Sequence, residues 1–538
     1  MKLEFRQELI NSALYEELGF SEYLHLFSTN IPTLPFKVLQ AMELEHAKAH
    51  FKELSSLFEI AKKRSSELNS VISICKLLPN LDDILVSWKN RAIDQYQIFH
   101  LGQYISESLK LIGEEIHFAK TQSDRHLLNR ILKILKEYTT GDFSKITLSR
   151  SEEKIKNDLN EQNKLIEKLL VEYEQAILKE TSLSMTYPFP KEISLNDHRL
   201  KKIEKSTLVS LSLSVNFYKI NYLLPAKIDK ALEKKKSIQA DFESSMRKKM
   251  FMLNEALFQF HEAFLTIYIN RKEITYNYLL LFTAANNDLV FPTICEEVKL
   301  SICEAKLPCL NCTTTQGIGH VPLNINLEKG SNLLYGPNMS GKTTTLKALY
   351  FHLMLTSVGL PVPAKRLETN FPSNIAIHIK NSGSLRQHLS SFGEELAFFA
   401  QKHLSSSFIF VDEMFNSTNP ISAVQLSKIF LDKFSRENLI FFCTSQYPEL
   451  FKNSAYNLYK MDDIFSKHSF DDIENKLDSI KFDGIIDLTK KMPYTITKIT
   501  NFDSTKSTLE NQKAIYMALH FPFDEDIRAQ LKNIIKHS

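Results

Sequence analysis

Glycine is nearly missing from the first part of this chain. Only Gly19, Gly102, Gly113 and Gly141 precede Gly317, and the other nine of its thirteen glycines follow. A stretch so poor in glycine and so dense in Leu, Glu and Lys excludes a glycine-punctuated β architecture and reads as long helices. Cysteine is also scarce. Cys75, Cys295, Cys303, Cys309, Cys312 and Cys443 are too few for a disulfide framework in 538 residues and read as free thiols. Cys309 and Cys312 have C-x-x-C spacing, which also matches half of a zinc or redox site, but the segment leads straight into the motif described next. Neither charge sign dominates: 66 Lys and Arg face 63 Asp and Glu, a net charge of +3, which excludes a uniformly basic coat. Long apolar runs are missing too. The best, Tyr278 to Pro292, is broken by Asn286, Asn287 and Asp288. Lys2, Glu4, Arg6 and Glu8 speak against a secretory leader, so the cytoplasm is the expected location. Hydrophobic residues at 43% and charged residues at 24% fit a folded protein, and 538 residues imply about two to four domains.

What is present is concentrated in one octapeptide. Gly336-Pro337-Asn338-Met339-Ser340-Gly341-Lys342-Thr343 fits G-x-x-x-x-G-K-[ST] without mismatch. The apolar run Asn332–Tyr335 leads into it, and a helical pattern from Thr344 to Val358 leaves it. Glycines at these positions let backbone N–H groups turn inward onto phosphate oxygens, and a helix N-terminus adds partial positive charge. In that setting Lys342 reaches the outer phosphates, Thr343 holds Mg²⁺, and Thr344 opens the helix beside them. Phe408 to Val411 is an apolar strand ending in Asp412-Glu413, and it is expected to run beside the loop. Asp412 would support Mg²⁺, and Glu413 would polarise an attacking water as general base. A further strand, Leu439 to Cys443, ends in Thr444-Ser445-Gln446, where a polar side chain would sense the terminal phosphate. Ser390-Ser391 precedes another helical stretch. Such hydroxyls are ordinary N-caps, and also phosphate donors if a second subunit presents them.

Elsewhere the pattern divides the chain. Leu39 to Leu68, Ile155 to Lys179 and Ala226 to Tyr268 have helical spacing of apolar residues. Met185 to Pro190 breaks the helix, and Thr207 to Leu223 alternates as a strand does before Pro225. Helix, small β-rich tip and returning helix describe an arm; periodicity does not separate this from a hairpin folded back on a helical body. Basic residues at Arg199, Lys201, Lys202 and Lys205 in the tip, and at Lys234 to Lys236 and Arg247 to Lys249, are candidate DNA contacts or simply a solvated face. The organisation expected is a helical core over residues 1–150, a lever arm over 151–270 with its tip at about 184–225, an α/β P-loop ATPase domain of ABC type over 271–476, and a helical dimerisation segment over 477–538.

These motifs together resemble the MutS family of DNA mismatch-repair ATPases. Gly-Pro-Asn-Met-x-Gly-Lys is similar to that family's phosphate loop, and Ser390-Ser391-Phe392-Gly393-Glu394-Glu395 to its Ser-Thr-Phe-x-x-Glu segment, which contacts ATP on the opposite subunit. Leu281 to Asn286 and Ala514 to Ala529 resemble the helix entering the ATPase and the C-terminal dimerising piece. Ser340, Thr343, the segment Met414 to Pro420 in place of a Gly- and Thr-rich loop, and Gln446 in place of a histidine depart from the family pattern. The resemblance implies a short, divergent member without the N-terminal mismatch-recognition module, with slow Mg²⁺-dependent ATP hydrolysis, acting as a homodimer or as a heterodimer with a related subunit. Two functions follow: a DNA clamp for repair or recombination, or an ATP-driven protein-remodelling factor such as one reactivating a cobalamin-dependent aminomutase. A third is an ATP-binding scaffold without useful turnover.

Overall fold

Helices fill the glycine-poor part of the chain in the computed structural model, which describes residues 2–5, 12–34, 36–114, 121–308, 321–336, 340–379, 391–400, 407–452, 455–462, 494–499 and 525–537. The chain opens with β1 (Lys2–Phe5), α1 (Ser12–Glu17), α2 (Phe20–His25), β2 (Phe36–Leu39), α3 (Leu44–Lys63) and α4 (Ser65–Cys75). It continues through α5 (Asp82–Lys89), α6 (Gln95–Glu114), α7 (Thr121–Tyr138) and α8 (Arg150–Thr181). A small β region follows, with β3 (Lys191–Ser194), α9 (Leu200–Glu204), β4 (Val209–Leu213) and β5 (Phe217–Tyr222). Helices α10 (Ala226–Phe258) and α11 (His261–Asn286) lead to β6 (Thr293–Cys295), β7 (Lys299–Ala305), β8 (Leu323–Glu328) and β9 (Gly330–Tyr335). The rest alternates: α12 (Lys342–Ser357), β10 (Arg366–Asn370), β11 (Ile375–His378), α13 (Ser391–Ala400), β12 (Phe408–Val411), α14 (Pro420–Ser435), β13 (Ile440–Ser445), β14 (Asn457–Met461), β15 (Ile496–Ile499) and α15 (Glu525–His537). Among the described residues no helix is long and apolar enough to cross a membrane.

Two units emerge, Met1–Leu78 with Gly113–Phe118 and Asn270–Ser538, and Pro79–Ile112 with Ala119–Ile269. In the second, α8 and α10 run antiparallel. Gln162 Nε2 donates to Ala231 O at 2.9 Å, while Glu152, ten residues earlier, meets Ser245 and Lys249. A 32-residue helix such as α8 extends about 48 Å. Its start is fixed by a capping box, in which Ser149 and Glu152 satisfy each other's backbone N–H groups. At the far ends of both helices the antiparallel sheet β3-β5-β4 closes a small core of Tyr173, Ile177, Leu183, Met185, Ile193, Ile203, Val209, Ile220 and Ile228. The sheet thus packs on residues near the end of α8 and the start of α10.

Three local expectations need correction. The run from Leu39 is a strand end, since β2 pairs in parallel with β1, and the helix starts at Leu44 and breaks at Arg64 (φ −124°, ψ 49°). The long helix from Ala226 breaks after Phe258. The apolar spacing continues across both breaks and carries no mark of them. The alternating run Thr207 to Leu223 is a hairpin, turning at Ser214, whose N–H bonds Phe217 O at 2.9 Å. Alternation persists through the turn, so Leu213 and Val215 are left 71% and 91% exposed.

The first unit contains the six-stranded sheet β11-β12-β13-β9-β14-β15, parallel except for β15. β9, β12 and β13 are buried along their whole length, as central parallel strands must be. A second sheet, β6-β10-β7-β8, lies in the same unit. Helix α12 is buried on all sides from Ala348 onward, and the chain's first fifty residues hold it. Phe351 packs against Phe20 and Tyr23, with ring centroids 4.6 and 5.6 Å away. Lys347 pairs with Glu17, and Met42 N–H bonds Ser357 O at 2.8 Å. A His50 ring nitrogen lies 3.0 Å from Gly359 O.

Glu152 offers a test of the arm. Burial raises its pKa, but the Lys249 ammonium, the Ser149 N–H and the Ser245 hydroxyl outweigh that and hold the carboxyl down at about 2. A depressed carboxylate contributes stability above its ordinary range, and that contribution is lost as pH falls through about 2. Glu152→Gln should cost about 2 kcal/mol at pH 7, the scale of a charge-assisted hydrogen bond, and progressively less below pH ~4.5. Urea unfolding followed by Trp88, buried in the same unit, reads this directly. A gap between variant and wild type that stays constant down to pH ~2.5 would remove the ionised Glu152 from the account.

Candidate active site

β9 ends at Tyr335 and α12 begins at Lys342, so the phosphate motif occupies the strand-to-helix turn. Pro337, Asn338 and Met339 lie outside the described residues, as do Ser390, Cys309 and Cys312. Both glycines are sterically required. A Cβ on Gly336 would stand 2.8 Å from Ser340 Oγ and 2.9 Å from Met461 Cβ. Gly341 has φ +97°, and a Cβ there would lie 3.1 Å from the Tyr494 ring. Ser340 Oγ is buried without a hydrogen-bond partner among the described residues, a polar atom inside a glycine cradle.

Lys342 is 5% exposed, and its ammonium donates to Gly336 O at 2.7 Å. Burial lowers its pKa, and the carboxylates of Glu413 and Asp412 oppose that shift, so both acids face the lysine. Thr343 Oγ1 donates to Asp412 Oδ2 at 2.6 Å, and Thr444 Oγ1 donates to Asp412 Oδ1 at 2.7 Å. Asp412 is thereby held from two sides. The strand order refines the sequence reading: β12 is not the neighbour of β9, because β13 lies between them. Asp412 still reaches the loop, and the intervening strand supplies Thr444 as a bridge.

Glu413 is half-buried with φ +47°. Its N–H donates to Thr444 Oγ1 at 2.7 Å, and its Oε2 accepts from Asn416 Nδ2 at 2.8 Å. Gln446 does not bond Glu413. Its Nε2 donates to Asn416 Oδ1 at 2.9 Å, so it acts at one remove, and Tyr447 OH joins the same oxygen at 3.2 Å. Thr344 is exposed beside the loop, and Ser391 is the first residue of α13. His378 ends β11 near Asp412. Burial lowers its pKa, opposed by the charges of Glu394 and Asp412. In the tip, Arg199 is held by Asp197 through two bonds of 2.7 and 2.9 Å, while Lys201, Lys202 and Lys205 are exposed. Lys249 is committed to Glu152.

Sequence reasoning did not find Asn416, His378 or Tyr494. Asn416 stood in plain view three residues past Glu413. Tyr494 lies far along the chain from the glycine it covers, and no local pattern announces it.

The stretch 332–476 matches the family model MutS domain V. The chain is 27% identical over 207 residues to human DNA mismatch repair protein Msh3, covering 36% of this chain and 18% of that protein. It is 32% identical over 174 residues to endonuclease MutS2 of Clostridium tetani, covering 31% of this chain and 21% of that one. A MutS2 from Bacillus velezensis is 33% identical over 129 residues, covering 23% and 16%. The chain thus spans about a fifth of the length of the curated relatives it matches, and its likeness to the MutS family lies in residues 332–476, the stretch similar to domain V.

Thr444 joins both acids to the sheet, which makes it testable. Thr444→Val strands Asp412 Oδ1 and the Glu413 N–H and should lower the opening free energy of β12 and β13 by about 2 kcal/mol. Thr444→Ser should restore most of it. Hydrogen exchange of those strand amides measures the difference, and a valine variant as protected as wild type would contradict the bridge.

Proposed function

We propose that this chain binds and hydrolyses ATP with Mg²⁺ and works as a dimeric clamp on DNA, in mismatch repair or recombination. The observation that carries the reading is the 2.6 Å contact between Thr343 Oγ1 and Asp412 Oδ2, beside a buried lysine on a glycine turn. Two hard oxygen donors at one point suit Mg²⁺, and the orphaned Ser340 Oγ suits a phosphate oxygen. Bound Mg²⁺ would neutralise phosphate charge. Lys342 leaves Gly336 O to meet the outer phosphates. Glu413, oriented by Asn416 and Thr444, takes the proton from the attacking water. Gln446 fixes Asn416, and through it the carboxylate. Ser390 and Ser391 of a second copy, identical or related, complete the phosphate contacts. The DNA role draws on the relatives named above and on exposed Lys201, Lys202 and Lys205, which suit phosphate contacts without base reading.

A second reading has its own support. Phe189, Leu213 and Val215 at the arm's end are 72%, 71% and 91% exposed, and Arg199 is already paired. An apolar tip with fewer available cations suits a protein partner remodelled by the same ATPase.

Glu413→Gln should keep nucleotide affinity and cut turnover by about 10²–10⁴-fold, the usual worth of a general base. Lys342→Ala should weaken nucleotide binding itself. Isothermal titration with single-turnover hydrolysis separates the two, and a Glu413→Gln protein turning over at the wild-type rate would remove the base assignment. Duplex affinity that falls steeply between about 50 and 200 mM salt supports the clamp. Negligible affinity across that range favours the protein partner.

A further inference from the structure

Glu395 is a buried acid that the hydrolytic scheme does not use. It lies on α13, four residues from Ser391, and is 4% exposed. A carboxylate in such a place needs hydrogen-bond donors, and Ser417 Oγ supplies one at 2.6 Å. Ser417 belongs to the short loop between β12 and α14. One residue before it stands Asn416, whose amide donates to Glu413 and accepts from Gln446 and Tyr447. The apolar side of the same junction is aromatic. Phe392 and Phe399 of α13 lie 6.4 and 5.2 Å from the Phe415 ring, and Phe399 stacks on Phe430 of α14 at 4.3 Å. Tyr447 faces both acids: burial first, and then Glu413, Glu395 and Glu449, raise its phenol pKa, against a lowering hydrogen bond with Gln446. An apolar residue at 395 would extend the aromatic packing with no charge to accommodate. The acid therefore has a directional task that packing alone does not need.

We propose that Glu395 is a positioning residue that, through Ser417 and Asn416, sets the orientation of the Glu413 carboxylate and so ties hydrolysis to the placement of α13. The inference rests on the ATPase reading above. Because Ser391 opens the same helix, a ligand or second subunit that moves the start of α13 is felt at Glu413 through this chain of contacts.

The test is ATP turnover and nucleotide affinity of Glu395→Gln, Ser417→Ala, Ser417→Thr and the Glu395→Gln/Ser417→Ala pair in the full chain. Each of the first two should lower kcat by about ten- to a hundredfold, the cost of a ~1 Å misplacement of a catalytic group, with KM and nucleotide affinity within about twofold of wild type. Ser417→Thr should recover most of kcat. The double variant should be no slower than the slower single one, since both break one link. Wild-type kcat in Ser417→Ala, independent additive losses in the double variant, or a parallel collapse of nucleotide binding each overturn the inference. Failure of the parent reading looks different: wild type without ATP turnover, or turnover untouched by Glu413→Gln, sinks that reading before these variants are made.

Discussion

Three charged side chains meet where water is nearly excluded, and the geometry of this protein follows from keeping them there. Lys342 and Asp412 are almost fully buried and Glu413 half so. Burial disfavours the charged form of the lysine and lowers its pKa, and the two acids oppose that shift. Neither carboxylate is left to pair with the lysine alone. Thr343 and Thr444 each take one oxygen of Asp412, and Asn416 takes one of Glu413. Such an arrangement requires the ends of β9, β12 and β13 to stay in register, which buried parallel strands provide.

The second constraint acts on α12. Its first turn carries Lys342 and Thr343, and its last turn is fixed by Met42 and by the His50 contact to Gly359. Aromatic packing at Phe351 grips the middle. A helix is stiff along its axis, so pinning its far end leaves the glycine turn as the place where displacement is absorbed. The N-terminal residues thereby contribute to the site without touching it. Gly359 is part of that device, because a side chain at φ +80° would drive a Cβ to 2.6 Å from Met42 Sδ.

Much of the site was legible because its chemistry is local. The glycine turn, Lys342 and Thr343 follow one another, and an apolar run ending in Asp412-Glu413 announces itself. What was not legible depends on which strands become neighbours. Chain order does not reveal that β13 inserts between β9 and β12, so Thr444 reads as a generic polar strand end rather than the bridge between both acids. Tyr494 meets Gly341 only because β15 returns to the sheet edge beside β14. The grouping of Met1–Leu78 with the α/β half is likewise a matter of tertiary packing, since amphipathic spacing says that a face is buried and not against what. The turn at Ser214 was not legible for the opposite reason: the alternation is real but outlasts the strands.

The loop after the acids holds a left-handed backbone without glycine. Glu413 and Phe415 both adopt left-handed backbone, at φ +47° and +55°, where glycine is at ease and other residues are strained by about 1–3 kcal/mol each. A glycine here would relieve the strain but leave the loop free in the unfolded and unliganded states, and ordering it would cost entropy. This chain takes the other course. Thr444 fixes Glu413 with its hydroxyl and Met414 with its carbonyl, the latter at 3.2 Å. The Phe415 ring, fully buried, stacks on Phe399 and packs at a tilt against Phe430. The strain is thus held by contacts that also aim Asn416 at Glu413. The Met-Phe-Asn-Ser loop is compensated by packing, and the carboxylate is oriented by the fold itself.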